Sequence, residues 1–177
     1  TVRRGDSRVK ELMDKEHHYT MHERRELMTI IGDILSGLLP RYRALAEAGR
    51  VELSFTPYAH PIVPLLLDIP CASEAMPDAP LPAMDSYPGG EARARWHMQK
   101  GLDCFQQHFG FKPRGCWPSE GGVSDATMAL LDEFGIEWAA TGESVLHNSV
   151  SKIGEQLEDT HRHYLFQPHR TADSRVA

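Results

Sequence analysis

The chain is poor in cysteine. Cys71, Cys104 and Cys116 are its three thiols in 177 residues, widely spaced and without a CxxC pair. An odd, sparse set excludes a disulfide scaffold and fits a reducing compartment, so a cytoplasmic location is expected. There is no run of about 18 apolar residues, which excludes a helical membrane span. No signal peptide is visible, and the chain opens on Thr1 rather than methionine, so Thr1 is not expected to be a natural start. Basic residues are outnumbered, 19 against 25 acidic, for a net charge of −6. That leaves no basic surface for nucleic acid. Gly121-Gly122 has neither a GxGxxG context nor a Walker lysine, and no G-x-S-x-G elbow occurs. No cofactor is expected.

Histidine is the one plentiful ligand type, with ten in the chain. His18 and His22 have i, i+4 spacing, and HxxxH is an element of metal-dependent carbohydrate deacetylases. However, His18 precedes the Thr20 helix cap, so the pair does not share a helix face. His161 and His163 are two apart, and no Asp-Asp pair sits at a strand end. A zinc site needs three or four convergent ligands, so no metal is expected.

What is present is ordinary for a globular domain: 41% hydrophobic and 25% charged residues, at a length usual for one domain. Residues 1–19 and 171–177 read as poorly ordered ends. Thr20-Met21-His22-Glu23 is a capping-box pattern. It opens a long amphipathic helix carrying Leu27, Ile30, Ile31, Ile34, Leu35, Leu38, Leu39, Tyr42 and Leu45, which Pro40 should kink or split. Gly49 is placed to cap it. Val51-Glu52-Leu53-Ser54-Phe55 alternates with period two and predicts a strand. Glu52 faces solvent in an antiparallel sheet, but the interior in a closed parallel barrel, whose strands are covered on both faces.

Ile62 to Asp68 predicts a short helix, 69–90 a long Pro-rich loop, and Glu91 to Phe109 a helix with Ala92, Trp96, Leu102, Phe105 and Phe109 inward. A strand should then arrive at Cys116-Trp117 and end at Pro118, which has no N–H for a ladder. Ser119 to Gly122 form a turn and Ser124 caps a helix bearing Ala126, Met128, Ala129, Leu130, Leu131 and Phe134. Ile136 to Thr141 predicts a third strand and His163 to Phe166 a last one. Alternating helices and strands mean an α/β fold with a parallel sheet. The count fits either a small open sheet or a piece of a larger barrel. Glu52, Glu120 and Glu143 stand within or just after successive strands. On a barrel such positions line the active-site face, where a carboxylate beside Trp117 suits carbohydrate chemistry.

Gly49-Arg50-Val51-Glu52-Leu53-Ser54, Thr56-Pro57-Tyr58-Ala59-His60-Pro61-Ile62 and Trp117-Pro118-Ser119-Glu120-Gly121 together resemble successive regions of glycoside hydrolase family 57. The resemblance extends through Glu74-Ala75-Met76-Pro77, the Gly135–Thr141 strand and Tyr164-Leu165-Phe166. It implies residues 1–177 form part of an incomplete (β/α)7 barrel with parallel strands. It also implies a retaining glycosidase or transglycosidase of the amylase, pullulanase or glucanotransferase kind, acting on α-glucans. Glu120 matches the catalytic nucleophile. Glu52, His60, Trp117, Tyr58 and Glu143 match the substrate site, although Thr141-Gly142-Glu143 departs from the family's Thr-Asp-Glu.

The family's opening His-Gln-Pro strand and its acid/base aspartate have no match here, and Asp173 does not fit the latter segment. The chain is therefore expected to be an internal fragment, silent on α-glucans by itself and prone to self-associate through open barrel edges. A non-catalytic carbohydrate-binding or scaffold piece of the same fold, or a deacetylase-like barrel, are the alternatives.

Overall fold

A computed structural model describes residues 5–76, 78, 80–152, 165–171 and 174–177. The chain divides into two compact units, Thr1–Glu52 and Leu53–Ala177.

The first unit is helical. Residues 1–19 were expected to be a poorly ordered end, but Ser7–Lys15 form helix α1, capped by Asp6, whose carboxylate accepts the Arg8 N–H at 3.0 Å. Its apolar positions, Val9, Leu12 and Met13, keep i, i+3, i+4 spacing, a signal too short to stand out among charges. Helix α2 spans Met21–Ser36 behind a complete Thr20–Glu23 capping box. Lys15 reaches back to Glu23 at 2.5 Å. That ion pair, then the Thr20 N–H, pulls the Glu23 carboxyl down to about 2. Helix α3 spans Leu38–Glu47.

The break falls at Gly37, not Pro40. Pro40 sits in the first turn of α3, where its missing N–H is no loss. Gly49, at φ 65°, ends α3 in a Schellman motif: its N–H bonds Ala46 O at 2.9 Å and the Arg50 N–H bonds Leu45 O at 2.9 Å. Val9, Leu12, Met13, Leu27, Ile30 and Ile31 line a groove of about 850 Å³.

The second unit is α/β, mostly helical around a small parallel sheet. Helix α4 (Val63–Leu67), a 3₁₀ turn (Ile69–Cys71) and helix α5 (Ala72–Ala75) lead by a loop to α6 (Gly90–Phe109). The first part of the expected 69–90 loop is thus helical. Strand β1 (Gly115–Cys116), helix α7 (Asp125–Glu133), strand β2 (Trp138–Ala139) and helix α8 (Glu143–Lys152) follow. β1 and β2 pair in parallel, with Cys116 opposite Ala139. Ser124 caps α7 as expected, accepting the Thr127 N–H.

Two expected strands shrink. Of Val51–Phe55, only Phe55 joins the sheet, bridging Cys116 in parallel through Phe55 N–H to Gly115 O (3.1 Å) and Trp117 N–H to Phe55 O (2.7 Å). Pro113 and Pro118 bracket β1 and supply no N–H, so the ladder it offers is short. In the stretch 136–141, Ile136 closes the Schellman turn of α7 onto Leu131 O instead of starting β2. The expected last strand is also displaced. His163 and Tyr164, like His161 and Asp173, lie outside the described residues, and Leu165-Phe166 form a helical turn. It is Ala177 that docks beside β2, donating to Glu137 O (3.0 Å) and accepting from the Ala139 N–H (2.9 Å). The end expected to be poorly ordered is packed at this point: Val176 is fully buried, and Arg175 pairs with Asp132 at 3.1 Å.

The core comprises Phe55, Val63, Met98, Phe105, Leu130, Leu131, Ile136 and their neighbours around Cys116. Burial pushes the Cys116 thiol up to about 12, so it behaves as a small hydrophobe. On α6 the buried stripe is Ala94, Met98, Gly101 and Phe105, while Ala92 and Trp96 face out. Sequence favoured the bulky residues. The packing instead uses Gly101, against which Phe55, Thr56 and Tyr58 lie so closely that an added Cβ would stand 3.1 Å from each. On α7, Met128, Leu130 and Leu131 are buried, whereas Ala126 and Ala129 are exposed.

Candidate active site

Three chain segments leave the same edge of the sheet: residues after Phe55, after β1 and after β2. Each carries residues singled out by sequence. After β1, Pro118 stops the ladder and Ser119–Gly121 make one 3₁₀ turn. Glu120 lies within it at φ 55°, in the left-handed region. After Phe55, the His60 N–H closes a turn onto Pro57 O at 3.0 Å. Ala59 (φ 59°) and His60 (φ 57°) are left-handed as well. A non-glycine residue in this region costs on the order of 1–2 kcal/mol. Three such residues in two facing loops are held there by the surrounding structure, a pattern that clusters at functional sites.

The two loops meet through side chains. His60 Nε2 lies 3.2 Å from Glu120 Oε1. Glu120 is 78% exposed and His60 51%, so the pair faces open solvent and is accessible to a large ligand. Two hydroxyls fasten the Glu120 turn from its neighbours on either side. Thr56 Oγ1 donates to Trp117 O at 2.6 Å, and Thr141 Oγ1 donates to Gly121 O at 2.6 Å. Gly121 is itself left-handed (φ 67°), and its Cα face lies against Thr141 and Gly142, where a Cβ would sit 3.5 Å from the Gly142 nitrogen. Ser119 Oγ is buried with no hydrogen-bond partner among the described residues.

The remaining candidates take different places. Trp117 anchors its backbone N–H on Phe55 O and is 54% exposed. Tyr58 is 42% exposed and meets Trp96 edge-on at 5.7 Å. Its backbone is fixed to α6 from both sides: its N–H bonds His97 O at 3.0 Å and its carbonyl meets His97 Nδ1 at 2.6 Å. Glu143 is the first residue of α8, directly after the Gly142 that abuts Gly121. Glu52 is the last residue of the first unit, exposed and outside any helix or strand, three residues before the Phe55 bridge. Among the described residues no group of three or more histidine, cysteine, aspartate or glutamate side chains could hold a metal ion.

Glu120 is thus an exposed carboxylate on a sheet-exit loop, contacted by a histidine from a neighbouring loop, and the exposed Trp117 and Tyr58 stand on the same two segments. The sequence model of glycosyl hydrolase family 57 matches residues 3–172. The chain belongs to glycosyl hydrolase family 57. No curated protein and no solved structure matches it. Membership of family 57 gives the general activity, glycosidase or transglycosidase action on α-glucans. Sequence reasoning overlooked Thr56 and Thr141 in this family 57 chain. Their only signal was position, each a threonine at a sheet exit beside a residue of interest. No described helix is long and apolar enough to cross a membrane.

Proposed function

We propose that this family 57 chain carries part of the substrate site of a retaining α-glucan glycosidase or transglycosidase, with Glu120 as nucleophile. The parallel run of Phe55, β1, β2 and Ala177 supports an arc of the incomplete (β/α)7 barrel. The observation that carries the reading is the Glu120–His60 contact of 3.2 Å at the sheet exit. In the reaction a Glu120 carboxylate oxygen attacks the anomeric carbon as the glycosidic C–O bond breaks. The departing oxygen takes a proton from the acid carboxyl, and a glycosyl ester forms on Glu120. Water or a sugar hydroxyl then displaces the ester, giving hydrolysis or transfer. His60 orients Glu120 Oε1. Trp117 and Tyr58 offer ring faces to pyranose C–H surfaces, and Glu143 accepts hydrogen bonds from sugar hydroxyls.

A glycosyl donor with a fluoride leaving group needs no proton from an acid. Incubation with 5-fluoro-α-glucosyl fluoride therefore reads the nucleophile alone. The expected result is a single covalent sugar adduct by intact mass, mapped to the peptide bearing Glu120 and lost in Glu120→Gln. An adduct on another carboxylate, or none at all, overturns the assignment.

A further inference from the structure

Glu120 is left-handed at φ 55° and yet is the residue whose carboxylate must be held in place. Nothing in its own side chain secures that backbone. Asparagine or glycine at the same position would adopt it with less strain, so the conformation is imposed from outside. Two carbonyls bracket the turn, Trp117 O three residues before Glu120 and Gly121 O immediately after. Each accepts one hydroxyl at 2.6 Å, from Thr56 on the preceding sheet exit and Thr141 on the following one. The two donors belong to different segments, 85 positions apart in sequence by their numbers. The bonds therefore tie the turn to both neighbours of β1 and resist its rotation in either direction.

The turn has internal support as well: the Gly121 N–H bonds Pro118 O at 2.9 Å and the Gly122 N–H bonds Ser119 O at 3.0 Å. Those bonds shape the turn but do not fix it to the sheet. The threonine hydroxyls do.

We infer that Thr56 and Thr141 are positioning residues: together they clamp the Trp117–Gly121 turn so that the Glu120 carboxylate meets His60. The inference rests on the reading of Glu120 as nucleophile for its catalytic consequence, but not for its geometry. Thr56 has a second constraint that keeps its hydroxyl aimed, because its carbonyl lies against Gly101 of α6, where even a Cβ would stand at 3.1 Å. Thr141 has Gly121 and Gly142 packed against each other beside it. Both hydroxyls are thus held by backbone contacts, which suits a clamp better than a loose side chain does.

The test separates geometry from chemistry. Thr→Val keeps the branched shape and deletes the hydroxyl, whereas Thr→Ser keeps the hydroxyl. In the full chain, the His60 ring signals are followed by NMR as Glu120 is changed to glutamine. In the parent, Glu120→Gln should shift them, because the two side chains touch. In Thr56→Val/Thr141→Val the same change should leave them unmoved, and in Thr56→Ser/Thr141→Ser the response should return. Persistence of the response in the double valine variant overturns the clamp. As the second readout, trapping by 5-fluoro-α-glucosyl fluoride should slow roughly fivefold for each hydroxyl removed, the factor one neutral hydrogen bond carries, and recover with serine. If the parent is not trapped at all, the nucleophile reading fails, and the His60 signals still decide the clamp. If the double valine variant simply unfolds, the single valine variants give the same comparison at half the effect.

Discussion

The two units of the chain are built on opposite balances of local and tertiary order. In Thr1–Glu52 the helices are well punctuated: an aspartate cap, a full capping box and a Schellman glycine. Yet among its described residues only Val9 and Ile30 are buried hydrophobics, while Leu27, Met28, Ile31, Leu35, Leu38 and Leu39 stay exposed. In Leu53–Ala177 the strands are two residues long and Ala59, His60 and Glu120 are left-handed, but ten hydrophobics are buried around Cys116. Local signals can draw helices without a core. Left-handed non-glycine residues occur in both units, at Glu16 and His18 in the first and at Ala59, His60 and Glu120 in the second, but only in the second do they sit beside a buried core whose packing offsets the strain.

This contrast can be broken by experiment. All three tryptophans, Trp96, Trp117 and Trp138, lie in the second unit, so indole fluorescence reports that unit alone. Leu131 is fully buried. Leu131→Ala should cost about 3–5 kcal/mol, seen as a lower urea midpoint by fluorescence. A loss below about 1 kcal/mol would show that the second unit has no real core. Gly121→Ala should cost about 1–2 kcal/mol, because alanine must adopt φ 67°. Its midpoint matching the parent's would mean that the turn is looser than described.

Thr20→Ala should remove about 1 kcal/mol of helix stability by ending the capping box. Far-UV circular dichroism should register the change and tryptophan fluorescence should not. Equal movement of both signals would show that the units unfold as one.

The next effect is local and pH-dependent. The Arg175 guanidinium beside Asp132 holds that carboxyl below the usual carboxylate range. A depressed carboxyl contributes stability that is present above the unfolded value, about 3.9, and is lost as the pH falls through the folded one. Protection of the Ala139 amide, which donates to Ala177 O, should therefore fall in acid once corrected for intrinsic exchange. Asp132→Asn should flatten that dependence, and an unchanged acid profile in the variant would remove the ion pair from the account. The smallest effect belongs to Leu35, 58% exposed in the first unit. Leu35→Ala should stay within about 0.5 kcal/mol. A larger loss would mean that its apolar face is covered in solution.

Sequence determined the local chemistry. The Thr20–Glu23 box, the Ser124 cap, the glycine stop at 49 and the strand end at Pro118 were legible, because each depends on residues within a few positions of one another. So was the candidacy of Glu120 and His60, through motif residues that stand close in sequence. Strand lengths were not legible. Period-two alternation says that Val51–Phe55 is able to pair, but the partner between Pro113 and Pro118 decides how much of it does.

Nor was the inner face of α6 legible. Gly101 is buried because Phe55 and the Thr56–Tyr58 backbone need its missing side chain, and a bulk-based reading picks Trp96 instead. Only tertiary structure decided that Thr56 and Thr141 converge on one turn, and that Glu120 meets His60 sixty positions away. The physical reason is range: caps and turns are settled by bonds along the chain, whereas the hold on Glu120 comes from hydrogen bonds between segments that only the sheet brings side by side.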